Sequence, residues 1–149
     1  MTNVLFVCTG NTCRSPMAEA LFRHLCDIDS VDVRSAGVFA VDGSNASHHA
    51  IEALKEKGIE CIHQSSSLTN ELVEWATVIL TMTNNHKQAV IDLYPHVGRK
   101  TFTLSEYVGE ENGEKRDISD PFGGTLAMYR QTLSDLQELI QQLVKKLQK

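Results

Sequence analysis

No excess of positive charge runs through this chain: 14 Lys and Arg stand against 19 Asp and Glu, leaving a net formal charge of −5 and a pI near 5.6. That excludes a protein-wide basic footprint for nucleic acid, so any bound anion must be held by a local device. Long hydrophobic runs are missing as well; nothing approaches the ~20 apolar residues of a membrane span. The start, Met1-Thr2-Asn3-Val4-Leu5-Phe6-Val7, lacks a basic segment and a cleavage site, so no secretory signal is expected. Cysteine is sparse. Cys8, Cys13, Cys26 and Cys61 form no Cys-x-x-Cys pair, which argues against structural zinc and for free thiols in a reducing cytoplasm. Repeats, low-complexity tracts and linkers are absent too. What is there is ordinary: 149 residues, 42% hydrophobic and 22% charged. Folding a chain of this size buries roughly 68–70% of its unfolded surface, so one domain over residues 1–149 needs no metal or disulfide staple.

Residues 4–7 are a continuous apolar run that stops at a glycine-containing loop, the pattern of a buried parallel strand. Ser15 followed by Pro16 reads as an N-cap with proline at the first helical position. Met17, Ala18, Leu21, Phe22 and Leu25 then form one apolar helical face, and Glu19 is placed in the first turn, where an acid suits the helix dipole. Further strands are expected at 31–34, 59–62, 76–82 and 100–104. Ala50, Ile51, Leu54 and Lys57 ahead of Gly58 read as a helix with a glycine C-cap. Thr69 starts a helical segment, and Asn84 caps a helix that runs to Leu93 and stops at Pro95. Residues 109–119 read as a polar loop. From Thr125 on, Leu126, Tyr129, Leu133, Leu136, Ile140, Leu143 and Leu147 mark a long amphipathic helix. Such a helix suits packing on a sheet better than a coiled-coil partner. The alternation predicts an α/β fold: a doubly wound, open parallel sheet of about four strands with helices on both faces.

The segment that carries chemistry is Cys8-Thr9-Gly10-Asn11-Thr12-Cys13-Arg14-Ser15, which puts a Cys, five residues, an Arg and a Ser between a strand and a helix. Open α/β sheets place their ligands there. Thr9, Gly10, Asn11, Thr12 and Cys13 can curl their backbone N–H groups into an anion nest at a helix N-terminus. Arg14 closes the ring with a fork that matches two phosphate oxygens. The same field is expected to lower the pKa of Cys8, and the Ser15 hydroxyl can donate to its thiolate. Asn11 is expected in a left-handed conformation, tying the loop through its side chain. The loop lacks the Gly-Lys-Ser/Thr ending of a Walker A motif. A buried structural thiol is the plain alternative for Cys8, and the Arg spacing with its strand–loop–helix flanks weighs against it.

With Val4-Leu5-Phe6-Val7 before it and Pro16-Met17-Ala18-Glu19-Ala20 after it, this loop resembles the signature of the low-molecular-weight protein phosphatase family. Ser35-Ala36-Gly37, His63 and Val78-Ile79-Leu80-Thr81-Met82 fall where that family has similar segments, and Asp120-Pro121-Phe122 resembles its general-acid motif. The resemblance covers essentially the whole chain. It implies a phospho-cysteine mechanism with no metal or other cofactor. Cys8 would attack phosphorus in line while Arg14 and the loop amides hold the equatorial oxygens. Asp120 would protonate the leaving group and then take a proton from the hydrolytic water. Proline after Asp120 restricts its backbone, whereas the nearby Asp117 lacks that restraint. His63 is implied as support for Asn11, and Arg34 and Ser35 as helpers. The other histidines read as surface or packing residues.

Two positions depart from the tyrosine-phosphatase pattern. Thr12 stands where tyrosine-specific members have a larger aliphatic residue, and Phe122-Gly123-Gly124 follows the acid where they carry tyrosines. Both are similar to the bacterial protein-arginine-phosphatase branch, which implies hydrolysis of phosphoarginine in proteins; phosphotyrosine is the alternative. Thr12 and Phe122 are thus the specificity candidates. An arsenate-reductase-like thiol enzyme would need cysteines downstream of Cys61, and there are none. A non-catalytic phosphate-binding module would need neither Cys8 nor Asp120. Cys13 is a candidate redox partner for Cys8. The expected partners are phosphorylated proteins and phosphate, with no nucleic acid and no membrane, for a monomeric cytoplasmic enzyme.

Overall fold

β1 (Thr2–Cys8) carries apolar side chains on both faces, and such a strand is stable only where both are covered. In the computed structural model, which describes residues 1–109 and 117–148, it lies inside the sheet. It pairs with β2 (Val31–Gly37) on one side and β3 (Val78–Thr81) on the other; β3 pairs with β4 (Thr101–Thr103), and all pairs are parallel. The order β2-β1-β3-β4 means that the chain leaves β1 to one side and later returns to its other side. The carboxyl end of β1 therefore sits at the switch point, where a crevice opens. Cys8 ends that strand, in register with Gly37.

Alternation along β1 divides the core. Val4, Phe6 and Cys8 join the cluster built with α1 (Arg14–Leu25), α2 (His48–Glu56), α5 (Leu104–Val108) and α6 (Leu126–Leu147), and Phe6 meets Phe22 edge to face at 6.0 Å. Leu5 and Val7 join Val73 of α3 (Asn70–Trp75), Val90 of α4 (Asn84–Leu93) and Val97 of the 3₁₀ turn Pro95–Lys100. Helices thus cover both faces of a parallel sheet, as the sequence pattern predicts. The apolar face of α6 is spent within the chain, against α1, α2 and α5. Leu133, Leu136, Leu139, Ile140 and Leu143 on it are all buried, and fully burying a side chain of this size contributes about 1.5–3 kcal/mol.

Several boundaries differ from the sequence expectation. Residues 59–62 form no strand: Ile59 is buried against the end of α2 with its N–H on Leu54 O, while Ile62 is 85% exposed. Among the described residues the free edge of β2 is bridged only by Gly37–Ser67, and 59–62 joins no ladder. β2 runs three residues past Arg34 to Gly37. β3 is confined between Ala76, which ends α3, and Thr83, which caps α4, and β4 stops at Thr103, whose hydroxyl caps α5. The cap of α4 is Thr83, whose hydroxyl takes the His86 N–H, and Asn84 is the first helical residue. Gly58 follows α2 at φ +75°, a conformation that suits glycine at a helix end. Of the loop expected at 109–119, residues 110–116 lie outside the described residues. No helix among the described residues is long and apolar enough to cross a membrane.

Candidate active site

The loop after β1 turns back on itself because Asn11 adopts φ +56°, the left-handed conformation expected of it. Its side chain is saturated. Nδ2 donates to Ser15 Oγ at 2.8 Å and Ser35 Oγ at 2.9 Å, and Oδ1 accepts the Ser66 N–H at 2.8 Å, which fixes the amide's orientation. The Asn11 carbonyl accepts from His63 Nε2 at 2.8 Å and from Ser65 Oγ at 3.1 Å. Ser35 in turn donates to Glu19 at 2.8 Å. Ser15 Oγ accepts from Asn11 and lies 2.9 Å from Cys8 Sγ, so its proton is available to a thiolate there. Backbone bonds complete the frame, from Val38 N to Cys8 O, Phe39 N to Thr9 O and Ser47 N to Thr12 O. Gly37 has a steric role here. A Cβ on it would stand 2.4 Å from Thr9 O and 2.9 Å from Asn11 N, so only glycine lets β2 lie this close under the loop.

Ser15 is therefore not the N-cap expected from the sequence. Helix α1 begins at Arg14 after Cys13, with no side-chain cap, because the Ser15 hydroxyl is committed to Cys8 and Asn11. Glu19 falls in the second turn, and its carboxylate serves Ser35 and Arg23 rather than the helix N-terminus. Arg34 does not reach the loop. It stacks over Trp75, 4.5 Å from the ring centroid, since alternation along β2 turns it to the face opposite Ser35.

A pocket of about 180 Å³ opens over the loop, lined by Cys8, Thr9, Gly10, Thr12, Cys13, Arg14, Asp120 and Phe122. Cys8 forms its floor and is 2% exposed. That depth overturns the expected direction of its pKa: burial pushes the thiol up, and outweighs the Ser15 hydroxyl, the N–H groups of Ser15 and Asn11, and Arg14, which pull it down. Arg14 donates from Nη1 to Ile118 O at 2.9 Å and places Nη2 3.5 Å from Asp120 Oδ2. Asp120 is half exposed at the mouth, with its other oxygen accepting the Phe122 N–H at 3.0 Å. Asp117, the competing acid, accepts the Asn84 N–H at 2.9 Å, a bond that anchors the start of α4. Gly124 N–H closes a turn onto Pro121 O, with Gly123 at φ +78°. A Cβ at Gly124 would stand 2.9 Å from the Pro121 carbonyl oxygen, so the turn itself keeps this part of the rim lean. Phe122 stands on it 74% exposed.

Three contributors carry no readable signal in the sequence. His86, treated there as a surface or packing histidine, is 6% exposed and bonds Thr9 Oγ1 through Nε2 at 2.8 Å. Burial first, and Arg14 second, push its pKa down to about 4. Tyr129, counted as a core position of α6, brings its hydroxyl to 3.3 Å from Cys13 Sγ. Ser47 Oγ lies 3.6 Å from the same sulfur, and both Cys8 and Cys13 are free thiols. No group of three or more His, Cys, Asp or Glu among the described residues is arranged to hold a metal ion.

A buried thiol under an arginine fork, with a carboxylate at the mouth, can bind a phosphoryl group, accept it and release it to water. Comparison with known proteins points the same way. Residues 3–149 match the family model described as low molecular weight phosphotyrosine protein phosphatase. The chain is 51% identical over 145 residues to a protein-arginine-phosphatase of Geobacillus stearothermophilus, covering 97% of this chain and 95% of that one. It is 50% identical over 149 residues to a protein-arginine-phosphatase of Bacillus subtilis, covering 99% and 97%. One similar solved structure is an arginine phosphatase variant with serine in place of a cysteine and a phosphorylated active-site serine. It has a TM-score of 0.94 at 49% identity, covering 99% of this chain and 97% of that one.

Proposed function

We propose that this chain, which belongs to the low molecular weight phosphotyrosine protein phosphatase family, removes phosphoryl groups from arginine side chains of proteins. The observation that carries the reading is one pocket joining Cys8, Arg14 and Asp120, with the small polar Thr12 in its wall and a single aromatic, Phe122, on its rim. A phosphoguanidinium is slim, planar and polar, and asks for hydrogen-bond partners more than for an aromatic slot. Identity of about half to two protein-arginine-phosphatases supports the same choice.

Each step has its residue. Cys8 passes its proton by way of the bound phosphoryl group to Asp120 and attacks phosphorus as the thiolate, held by the Ser15 hydroxyl and the loop amides; the S–P bond forms as the P–N bond breaks. Arg14 and the loop N–H groups, from Thr9 to Ser15, grip the oxygens that carry the transition-state charge. Asp120 gives its proton to the departing guanidine nitrogen, then takes one from the water that cleaves the S–P bond, and phosphate leaves. His63 supports this geometry by holding the Asn11 carbonyl. Cys13 is the candidate guard: after oxidation of Cys8 to a sulfenic acid by a peroxide, its thiol can displace water to give a Cys8–Cys13 disulfide. Four free thiols support a reducing compartment such as the cytoplasm, and we read the enzyme as a monomer there.

The test compares kcat/KM on one peptide carrying phosphoarginine with its phosphotyrosine counterpart. We expect a preference for phosphoarginine of about tenfold or more. A clear preference for phosphotyrosine would return the enzyme to the tyrosine-specific reading.

A further inference from the structure

The first turn of α4 touches both halves of the site at once. On one side, His86 Nε2 meets Thr9 Oγ1 at 2.8 Å, and Thr9 is the residue directly after the nucleophile. On the other side, Asn84 N–H is accepted by Asp117 Oδ1 at 2.9 Å, three residues ahead of Asp120. Ile118 N–H reaches Met82 O at 2.9 Å just before this turn, and Ile118 O receives Arg14 Nη1. The segment 117–120 is thus stitched to the same short stretch, 82–86, that grips the loop.

We propose that this turn is a clamp that registers the acid-bearing segment against the phosphate loop, with His86 as the positioning residue on the loop side and Asp117 on the acid side. The clamp rests on the reading of Asp120 as the acid. His86 suits its part because the ring is buried and Nδ1 has no partner among the described residues. With the proton on Nε2, only a lone pair is left unmatched at Nδ1, the cheaper of the two tautomers. Nε2–H then donates to Thr9 and leaves the Thr9 hydroxyl its own proton to give toward the pocket. Asp120 lines the pocket and Asp117 does not; the Asp117 carboxylate takes the Asn84 N–H through Oδ1 and so acts on the position of the segment.

Turnover is measured on phenyl phosphate, whose leaving group needs a proton, and on 2,4-dinitrophenyl phosphate, whose leaving group does not. Asp117→Ala is expected to lower kcat about tenfold on the first and less than about twofold on the second. Equal losses on both esters would reduce Asp117 to a structural role and overturn the clamp. His86→Phe is expected to raise the inhibition constant of inorganic phosphate about fivefold, with His86→Gln, whose amide still reaches Thr9, recovering most of it. Thr9→Val is expected to match His86→Phe, and the double variant to be no worse than either single. Additive losses, or no recovery by Gln, overturn the loop half; if His86→Phe does not fold, Thr9→Val and His86→Gln carry the same decision. Asp120→Asn is run alongside. If it shows no split between the two esters, the acid reading falls and the clamp with it; if it shows the split and Asp117→Ala does not, the clamp alone falls.

Discussion

The phosphate loop and the rim that carries Asp120 face each other across one pocket and are built in opposite ways. In the loop, Cys8, Asn11, Cys13, Arg14 and Ser15 are buried, and Asn11 alone ties it to Ser15, Ser35, His63, Ser65 and Ser66. On the rim, Asp120 is half exposed and Phe122 stands in solvent, at the end of a segment that Asp117, Ile118 and Arg14 anchor from behind. The loop meets the part of the substrate that never changes, a tetrahedral phosphoryl group. Its donors must be fixed before the reaction to stabilise charge without reorganising. The rim meets the leaving group and the protein that bears it, and an exposed side chain such as Phe122 can be altered there without disturbing the loop.

The largest expected effect lies at the floor. Cys8→Ser should lower kcat by at least about a thousandfold while phosphate still binds, measured by turnover and by calorimetric titration with phosphate; surviving turnover would break the proposed mechanism. Next comes the frame. Gly37→Ala forces a Cβ into Thr9 O and Asn11 N, and should cost about 1–3 kcal/mol of stability together with a clear loss of activity. A Gly37→Ala protein as stable and active as its parent would show that the loop is not rigid in the sense argued.

A third effect is read from pH. His86 has a folded pKa of about 4 against an ordinary 6.5, so between those values the unfolded chain binds the extra proton. Its contribution to stability is present above pH 6.5 and is lost as the pH falls toward 4. His86→Gln should flatten the dependence of Tm on pH over that window; an unchanged slope would mean that His86 is not held neutral. The smallest effect belongs to the rim. Phe122→Ala should change stability by less than about 0.5 kcal/mol and act mainly on KM for peptide substrates. A loss of stability as large as that of Gly37→Ala would erase the contrast between the two regions.

Much of the fold was legible because each strand and helix carries its own period. The doubly apolar run of β1 demands a covered parallel sheet, and the 3.6-residue recurrence in α6 demands a partner surface. Residues 59–62 misled because a short apolar run states only that burial is wanted. Ile59 finds it at the end of α2, and Ile62 goes without. The site divides similarly. Cys8, Asn11, Arg14 and Ser15 lie within eight residues, so their spacing alone places them on one loop. His86 and Tyr129 reach that loop from 77 and 116 residues away, and no local pattern could assign them. Ser15 was misread for a related reason: its cap signal is local, while its commitment to Cys8 is not.

The sequence by itself determined that an anion would be held by one loop between a strand and a helix, and which side chains that loop offers, because those relations act over a few covalent bonds. Tertiary structure decided everything that depends on what lies across the gap. Burial at the strand end, not the loop's field, sets the direction of the Cys8 pKa. Gly37 is required because another strand passes beneath the loop. Asp117 is spent on a helix N-terminus while Asp120 faces Arg14; the proline after Asp120 and the motif it belongs to favour Asp120 in the sequence, but these contacts exist only in the fold.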